Sequence, residues 1–411
     1  MIASHARALL ADPEFRKLSV LIGTGFIDMV GFAIVFPLMP FYALELRASP
    51  AMIGWIMAAY SLAQLAAAPI WGRVSDRRGR RPVLLIGLLA SAVAYVVFGF
   101  ATSVGVLLVS RIIQGLGGGT TGVVHAYVGD AISPARRTQA LGWLSAASAL
   151  GVAFGPVIGS AAVQIHHAGP GLVAAALCLI NTVFTWRWLP ESKGPQATPA
   201  DGHRRRAPIW LPVWSVVSAP RRPVSRLTWI YGAGMLGFSA MTSVLALFLG
   251  ARFGINEKTI GYFFLYTGIL SFLMRTIVLG PAIRRFGETG AVRLGTVALV
   301  LGLVAYPLVP SIWILPIAMT FVPVGTALLF PATTALLSKA SDPAALGGTM
   351  GAAQTFAGAA RVIAPILATR AFQEFGPGSP FYLAALIVAG VGVLAFQLHN
   401  QSIPRPVPES P

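Results

Sequence analysis

The chain has 411 residues, 56% of them hydrophobic and 10% charged, with a mean hydropathy of +0.75 and a formal net charge of +17. Soluble domains are about half apolar and about a quarter charged, so this chain is too apolar to cover a water-facing surface, and disorder goes with low hydrophobicity. An ordinary cytosolic enzyme, a disordered chain and a basic nucleic-acid binder are excluded, and the single cysteine, Cys178, excludes a disulfide framework and a cysteine-rich metal site.

What remains is an integral membrane protein with many spans. Roughly 20 apolar residues cross the ~30 Å hydrocarbon core as a helix. Twelve such stretches are predicted at about 18–42, 52–72, 82–101, 105–129, 138–162, 169–189, 226–250, 259–282, 289–309, 312–337, 346–371 and 380–398. Residues 1–17 carry Asp12, Glu14, Arg16 and Lys17 and lack a small-residue cleavage site. The first stretch therefore reads as a retained span, not a signal peptide.

Lysine and arginine mark the cytoplasmic side. One side gathers Arg7, Arg16, Lys17, Arg73, Arg77, Arg78, Arg80, Arg81, Arg136 and Arg137. It continues through Lys193, Arg204, Arg205, Arg206, Arg221, Arg222, Arg284, Arg285 and Lys339. The other side has Arg47, Arg252, Lys258 and Arg370. Both termini are expected in the cytoplasm, and most of the +17 is a topological sign.

A polar, Pro- and Arg-rich interruption at 190–224 divides the chain into residues 1–189 and 225–411. The halves echo each other at an offset near 208. Ile53, Gly54 and Trp55 match Ile260, Gly261 and Tyr262; Gly72 and Gly79 match Gly280 and Gly287. Ser133 and Pro134 match Asp342 and Pro343; Gly142 and Pro156 match Gly351 and Pro365. Repeats of this kind build transporters whose two halves rock about a midplane site. The predicted fold is an all-α membrane protein with twelve transmembrane helices in two pseudo-symmetric six-helix bundles, joined by a basic cytoplasmic linker.

Between the second and third stretches the chain reads Gly72-Arg73-Val74-Ser75-Asp76-Arg77-Arg78-Gly79-Arg80-Arg81-Pro82. Glycines permit a tight turn there. By itself the segment is equally a solvated basic loop, but its spacing and position resemble the signature loop of the major facilitator superfamily. In that family the aspartate matching Asp76 faces a helix N-terminus of the other half. The arginine matching Arg80 bridges it to an acid ending the fourth span, here Asp130. The resemblance implies a latch of Gly72, Asp76, Gly79, Arg80 and Asp130 that holds the cytoplasmic ends of the bundles together.

Further segments agree. Arg111-Ile112-Ile113-Gln114-Gly115 resembles the family's buried-arginine motif, and Leu189-Pro190-Glu191-Ser192 the end of span six in drug:proton antiporters. Gly151, Gly155, Pro156 and Gly159 resemble the antiporter motif of span five, with Ser160 replacing its usual last glycine. Phe26 through Pro40, with Ala126-Tyr127-Val128-Gly129-Asp130, is most similar to the tetracycline-efflux branch. What the resemblance implies is proton-coupled efflux of a small amphiphilic compound, in a bacterial inner membrane, by a protein functional as a monomer. Its partners would be a small-molecule substrate, protons and the lipid bilayer, with no nucleic acid, cofactor or metal. A proton symporter or uniporter for a metabolite is the first rival. A membrane-embedded enzyme is the rival from another class; it lacks a metal-ligand cluster and a nucleophile–His–acid set.

Gly117, Gly119 and Gly122 satisfy a dinucleotide-binding fingerprint, yet they lie within an apolar span rather than after a strand. Small residues at such positions let helices approach.

A charge at mid-bilayer costs roughly 2.5–3.5 kcal/mol on insertion scales, so each is a functional candidate. Asp28 lies about ten residues into span one, about 15 Å along it, and is the one acid at that depth. It is a candidate proton carrier, or alternatively a fixed helix-bracing ion. Arg111, Arg275 and Arg361 also lie within spans. Arginine stays charged, so none of the three carries the proton. Arg111 is expected to pair with backbone or with Asp28, and Arg275 to snorkel toward the cytoplasmic face. Gln64 and Gln354 lie on spans resembling the family's cavity-lining helices. The aromatics Phe32, Phe36, Tyr60, Trp143, Phe238, Tyr266, Phe321 and Phe356 are available to wall an apolar pocket, with packing or lipid contact as the alternative for each, and one acid against three arginines suggests a cavity that tolerates an anionic group. His166 and His167 are expected in an outer loop without carboxylate neighbours.

Overall fold

The computed structural model describes residues 13–192, 210–342 and 346–398, and every element among them is helical. The first half comprises α1 (Pro13–Val35), α2 (Met39–Glu45), α3 (Pro50–Arg78), α4 (Arg80–Gly99), α5 (Val104–Gly118), α6 (Thr121–Ala131), α7 (Pro134–Ile165) and α8 (Gly169–Trp188). After α9 (Trp210–Ser218) come α10 (Pro223–Phe253), α11 (Ile260–Leu273), a π-helical turn (Met274–Val278), α12 (Leu279–Leu308), α13 (Leu315–Ala340), α14 (Leu346–Phe375) and α15 (Ser379–Phe396).

Local chemistry sets the ends. Proline occupies the first turn of α3, α7, α8, α10, α13 and α15, where no intrahelical donor is lost. At α3 the Ser49 side chain also accepts a bond from the Met52 amide, satisfying one free N–H.

Each of the twelve predicted stretches coincides with helix, but nine segments among the described residues are long and apolar enough to cross a membrane. Three differences account for the count. The fourth stretch breaks at Gly119 and Thr120 into α5 and α6, because three consecutive glycines weaken the helix. The eighth and ninth run together as Ile260–Leu308. The eleventh, α14, is of spanning length but is diluted by Gly, Thr, Gln354 and Arg361. The 190–224 interruption is not wholly loop, since α9 forms within it; Lys193 through Arg206 lie outside the described residues, as does Arg7.

In the first half α1 packs on α7 and α8, and α4 on α5 and α8. In the second, α10 packs on α14 and α15, and α12 on α13 and α15. Two helix pairs make most of the contact between the halves, α3 with α14 and α7 with α11, and α2 also touches α10. The pairs α3–α14 and α7–α11 are equivalent under the sequence repeat. Gly79 and its repeat partner Gly287 both have positive φ, 96° and 69°, so the matched registers carry matched backbone.

Hydrogen bonds between the halves gather at the end opposite the basic loops. The Ser160 hydroxyl donates to the Glu257 carbonyl (2.8 Å) and accepts from the Gly261 amide (3.0 Å). The Ala51 amide donates to Gln373 Oε1 at 3.1 Å.

Candidate functional site

The basic loop forms a charge cluster around Arg80, which is buried. Its Nη1 is 2.9 Å from Asp76 Oδ1 and donates to Ser75 Oγ at 2.6 Å, while Nε donates to Asp130 Oδ2 at 3.0 Å. One guanidinium thus gathers two carboxylates and a buried hydroxyl, which its forked donors allow. Gly72 lies on the same helical segment, with no side chain near its Cβ position. Residues 343–345, just before α14, lie outside the described residues, and so does any contact of the cluster with them.

Glu191 completes this cluster, a role that the sequence motif alone did not assign. Its two oxygens accept from the backbone amides of Arg80 (2.8 Å) and Arg81 (3.1 Å), the first residues of α4. A carboxylate there satisfies free amides and opposes the helix dipole. The φ of 96° at Gly79 favours glycine, and a Cβ there would fall 2.5 Å from a Glu191 oxygen and push that carboxylate off the amides.

Deeper in the protein, between the halves, lies a partly open pocket with a cavity volume of about 70 Å³. The first half contributes Phe32, Phe36, Tyr60 and Arg111; the second contributes Ser239, Ser243 and Arg361. Phe32 stacks on Phe36 with centroids 5.3 Å apart and tilts against Tyr60 at 5.2 Å. Arg111 is 3% exposed. Its guanidinium lies 5.4 Å from the Phe98 ring centre, while Nε and Nη2 are buried without a hydrogen-bond partner. Neither expected pairing of Arg111 is present: no ion pair with Asp28 occurs among the described residues, nor does a bond to backbone. Arg361 is exposed toward this space.

Asp28 is half-buried on α1, one turn before Phe32. It does not line the pocket, but Asp28, Arg111 and Arg361 are all near enough for their charges to act on the Tyr60 hydroxyl. Gln64 donates to the Gly118 carbonyl (3.1 Å) and the Tyr60 hydroxyl (3.2 Å). It therefore braces the broken fourth stretch behind the pocket wall. Gln354 is exposed on α14. Arg275 sits in the π-helical turn, is exposed, and is not among the lining residues.

The span-five motif divides between two neighbours. Cβ atoms on Gly151, Gly155 and Gly159 would approach the α1 carbonyls of Phe26, Val30 and Ile34 to 2.7, 2.8 and 2.5 Å. The glycines therefore seat α7 on α1 inside one half and do not shape the contact between halves. Pro156 does reach across, to Gly261 of α11. The sequence reading also overlooked a neighbour of the outer-loop histidines: His167 Nδ1 is 3.6 Å from Glu45 Oε2. No cluster of three metal-binding side chains occurs among the described residues. Ser75, Ser239 and Ser243 were overlooked too. The four-residue step from Ser239 to Ser243 was the available signal, since it places both on one helix face.

A family model described as "Major Facilitator Superfamily" matches residues 21–322 and 276–411. The tetracycline resistance protein, class C, of Escherichia coli is 30% identical, over 86% of this chain and 89% of its own. Multidrug resistance protein 1 of Bacillus subtilis (strain 168) is 28% identical, over 90% of this chain and 93% of its own. In fold, the chain is similar to a POT family transporter crystallised with 5-aminolevulinic acid. That likeness has a TM-score of 0.76 and 15% identity, over 93% of this chain and 96% of the other.

Proposed function

The chain belongs to the Major Facilitator Superfamily and is a multi-pass membrane transporter, not an enzyme; within that family we propose that it exports a small amphiphilic compound in exchange for protons. Twelve spans form two six-helix bundles, residues 1–189 and 225–411, that rock against each other while 190–224 links them on the cytoplasmic side, where both termini lie. The observation that carries this reading is the pocket shared by both halves, walled by aromatic side chains and flanked by in-membrane charges. An apolar wall with a few placed polar groups is the chemistry of small-ligand sites. The named relatives, resistance proteins for tetracycline and for multiple drugs, support export.

In the proposed cycle Asp28 takes a proton from the outer side and releases it inward as substrate leaves. Only a carboxylate among the deep charges can do this, since arginine stays protonated. The Arg80 cluster, with Asp76, Asp130 and Glu191, braces the cytoplasmic ends. The protein works as a monomer in a bacterial inner membrane.

Proteoliposomes loaded with tetracycline or a quinolone test the reading. An imposed proton gradient is expected to drive substrate movement through wild-type protein and at least about tenfold less through Asp28→Asn, the scale of a lost proton-transfer group. Undiminished gradient-driven flux in Asp28→Asn would remove Asp28 from the coupling path, and absence of gradient-driven flux in wild type would overturn proton exchange.

A further inference from the structure

Arg111 poses a physical problem that the cycle above does not solve. A guanidinium held in a span without a counter-ion is costly, and such groups normally pair with an acid or with carbonyls. Nothing among the described residues fills that role. Nε and Nη2 are buried with no partner, and no hydrogen bond of Nη1 occurs among the described residues. The two orphaned nitrogens form one edge of the fork, the edge that takes a carboxylate through parallel N–H···O bonds. A deep arginine with all its donors unspent calls for an explanation.

Arg361 lines the same pocket from the opposite half. It too has no ion-pair partner within 4.0 Å among the described residues. The pocket lining contains both arginines and no carboxylate. Ser61 and Ser239 add hydroxyls that make no described hydrogen bond, while Phe32, Phe36, Met39 and Met57 supply the apolar wall.

We propose that this pocket binds an amphiphilic organic anion, its carboxylate or sulfonate between Arg111 and Arg361 and its apolar body against Phe32, Phe36, Met39 and Met57. An inorganic anion would leave the aromatic wall unused, and a cation would be repelled from both halves at once. Binding requires the Arg111 guanidinium to turn so that its unpaired edge, buried as it stands, meets the headgroup. Because the two arginines belong to different halves, one bound anion bridges them. The inference names the substrate class for the export reading and rests on it for the purpose of the site, although binding itself requires no proton gradient.

The test uses purified full-length protein in phosphatidylcholine nanodiscs. Three fluorescent probes share one naphthyl ring and alkyl spacer, and end in a carboxylate, a primary amide or a trimethylammonium group. The carboxylate is expected to bind about tenfold or more tightly than the amide, the scale of charge-assisted hydrogen bonds, and the ammonium probe more weakly still. Arg111→Gln and Arg361→Gln should each erase most of that preference while changing amide binding less than about twofold.

Arg361 is exposed, so its variant keeps the test decisive even if Arg111→Gln misfolds. Equal binding of carboxylate and amide, or an unaltered preference in Arg361→Gln, overturns the proposal. Loss of carboxylate binding when phosphatidylglycerol is added to the nanodiscs would make the occupant a lipid headgroup, and overturns it also. Anion binding without gradient-driven transport would sink the export reading alone. Gradient-driven transport of cations with no anion preference would sink this inference alone.

Discussion

The carbonyl oxygen of Pro156 on α7 lies 2.5 Å from where a Cβ on Gly261 of α11 would stand. Its repeat counterpart is Gly54 on α3, whose Cβ would lie 2.7 Å from the carbonyl of Pro365 on α14. Two glycine–proline contacts, one from each half to the other, therefore hold the bundles at the end opposite the basic loops. Membrane helices gain such packing from small residues, since lipid supplies little drive for association.

Gly261→Ala should consequently loosen the contact between halves. An added methyl group has backbone in front of it and cannot be absorbed by a side-chain rotation, so a loss of about 1–3 kcal/mol is expected. Gly142→Ala, where nothing lies within 4 Å and the helix is regular, should instead raise stability, by up to about 1 kcal/mol. Thermal unfolding in a mild detergent compares them. Equal melting temperatures for the two variants would contradict the packing argument.

The turn at Gly79 yields a second expectation. Gly79→Ala meets both a left-handed φ and the Glu191 carboxylate, whereas Glu191→Gln keeps the shape and removes the charge facing the α4 amides. Losing that charge should cost about 0.3–1 kcal/mol, since Glu191 is exposed. Gly79→Ala should cost more. Adding Glu191→Ala to Gly79→Ala should relieve part of the clash, so that the double variant is less destabilised than the sum. Strict additivity in the unfolding data would mean that the two residues do not meet.

Arg80 should not tolerate the conservative change to lysine. Its Nε serves Asp130 while Nη1 serves Asp76 and Ser75, and an ammonium on a flexible stem cannot hold that fork. Removing a partner from a buried pair costs about 3–5 kcal/mol. Because the Asp76 side chain is 40% exposed, solvent screens part of this and about 1–3 kcal/mol is the expected loss. Protease sensitivity of the loop around residues 76–80 reports it; wild-type resistance in Arg80→Lys would place the bracing elsewhere.

How much of this was legible beforehand depends on the range of the interaction. Span positions follow from local composition, so helix was found at all twelve stretches. The repeat could be read because a backbone requirement, positive φ at Gly79 and Gly287, is written in single residues. The Arg80 cluster was legible because Gly72 through Arg81 is contiguous and only Asp130 is distant. Glu191 was harder, since its task is to meet backbone amides, which carry no sequence signature. The orphaned edge of Arg111 could not be read either. Sequence placed an acid and a base at similar depth and suggested pairing, but their directions around α1 and α5 decide whether they meet. The same limit applies to Gly151, Gly155 and Gly159, whose four-residue step marks a close helix contact without saying with which helix.

If the halves rock, the outer contact must open during transport, and chemistry can hold it shut. The Ala51 amide and the Gln373 side chain hydrogen-bond at 3.1 Å across the interface. Cysteines introduced together as Ala51→Cys and Gln373→Cys should be joined by a short thiol-specific cross-linker. The native Cys178 is buried within the first half and does not compete. Joining the halves at this end should lower gradient-driven substrate flux at least about tenfold, as expected when a gating motion is blocked. A cross-linker with a cleavable disulfide should restore flux on reduction. Either single cysteine variant treated in the same way should keep its flux, which separates closure of the outer end from simple modification. Full transport by the cross-linked protein would show that substrate crosses without separation of α3 from α14, and the rocking of two halves would then be the wrong description of its cycle.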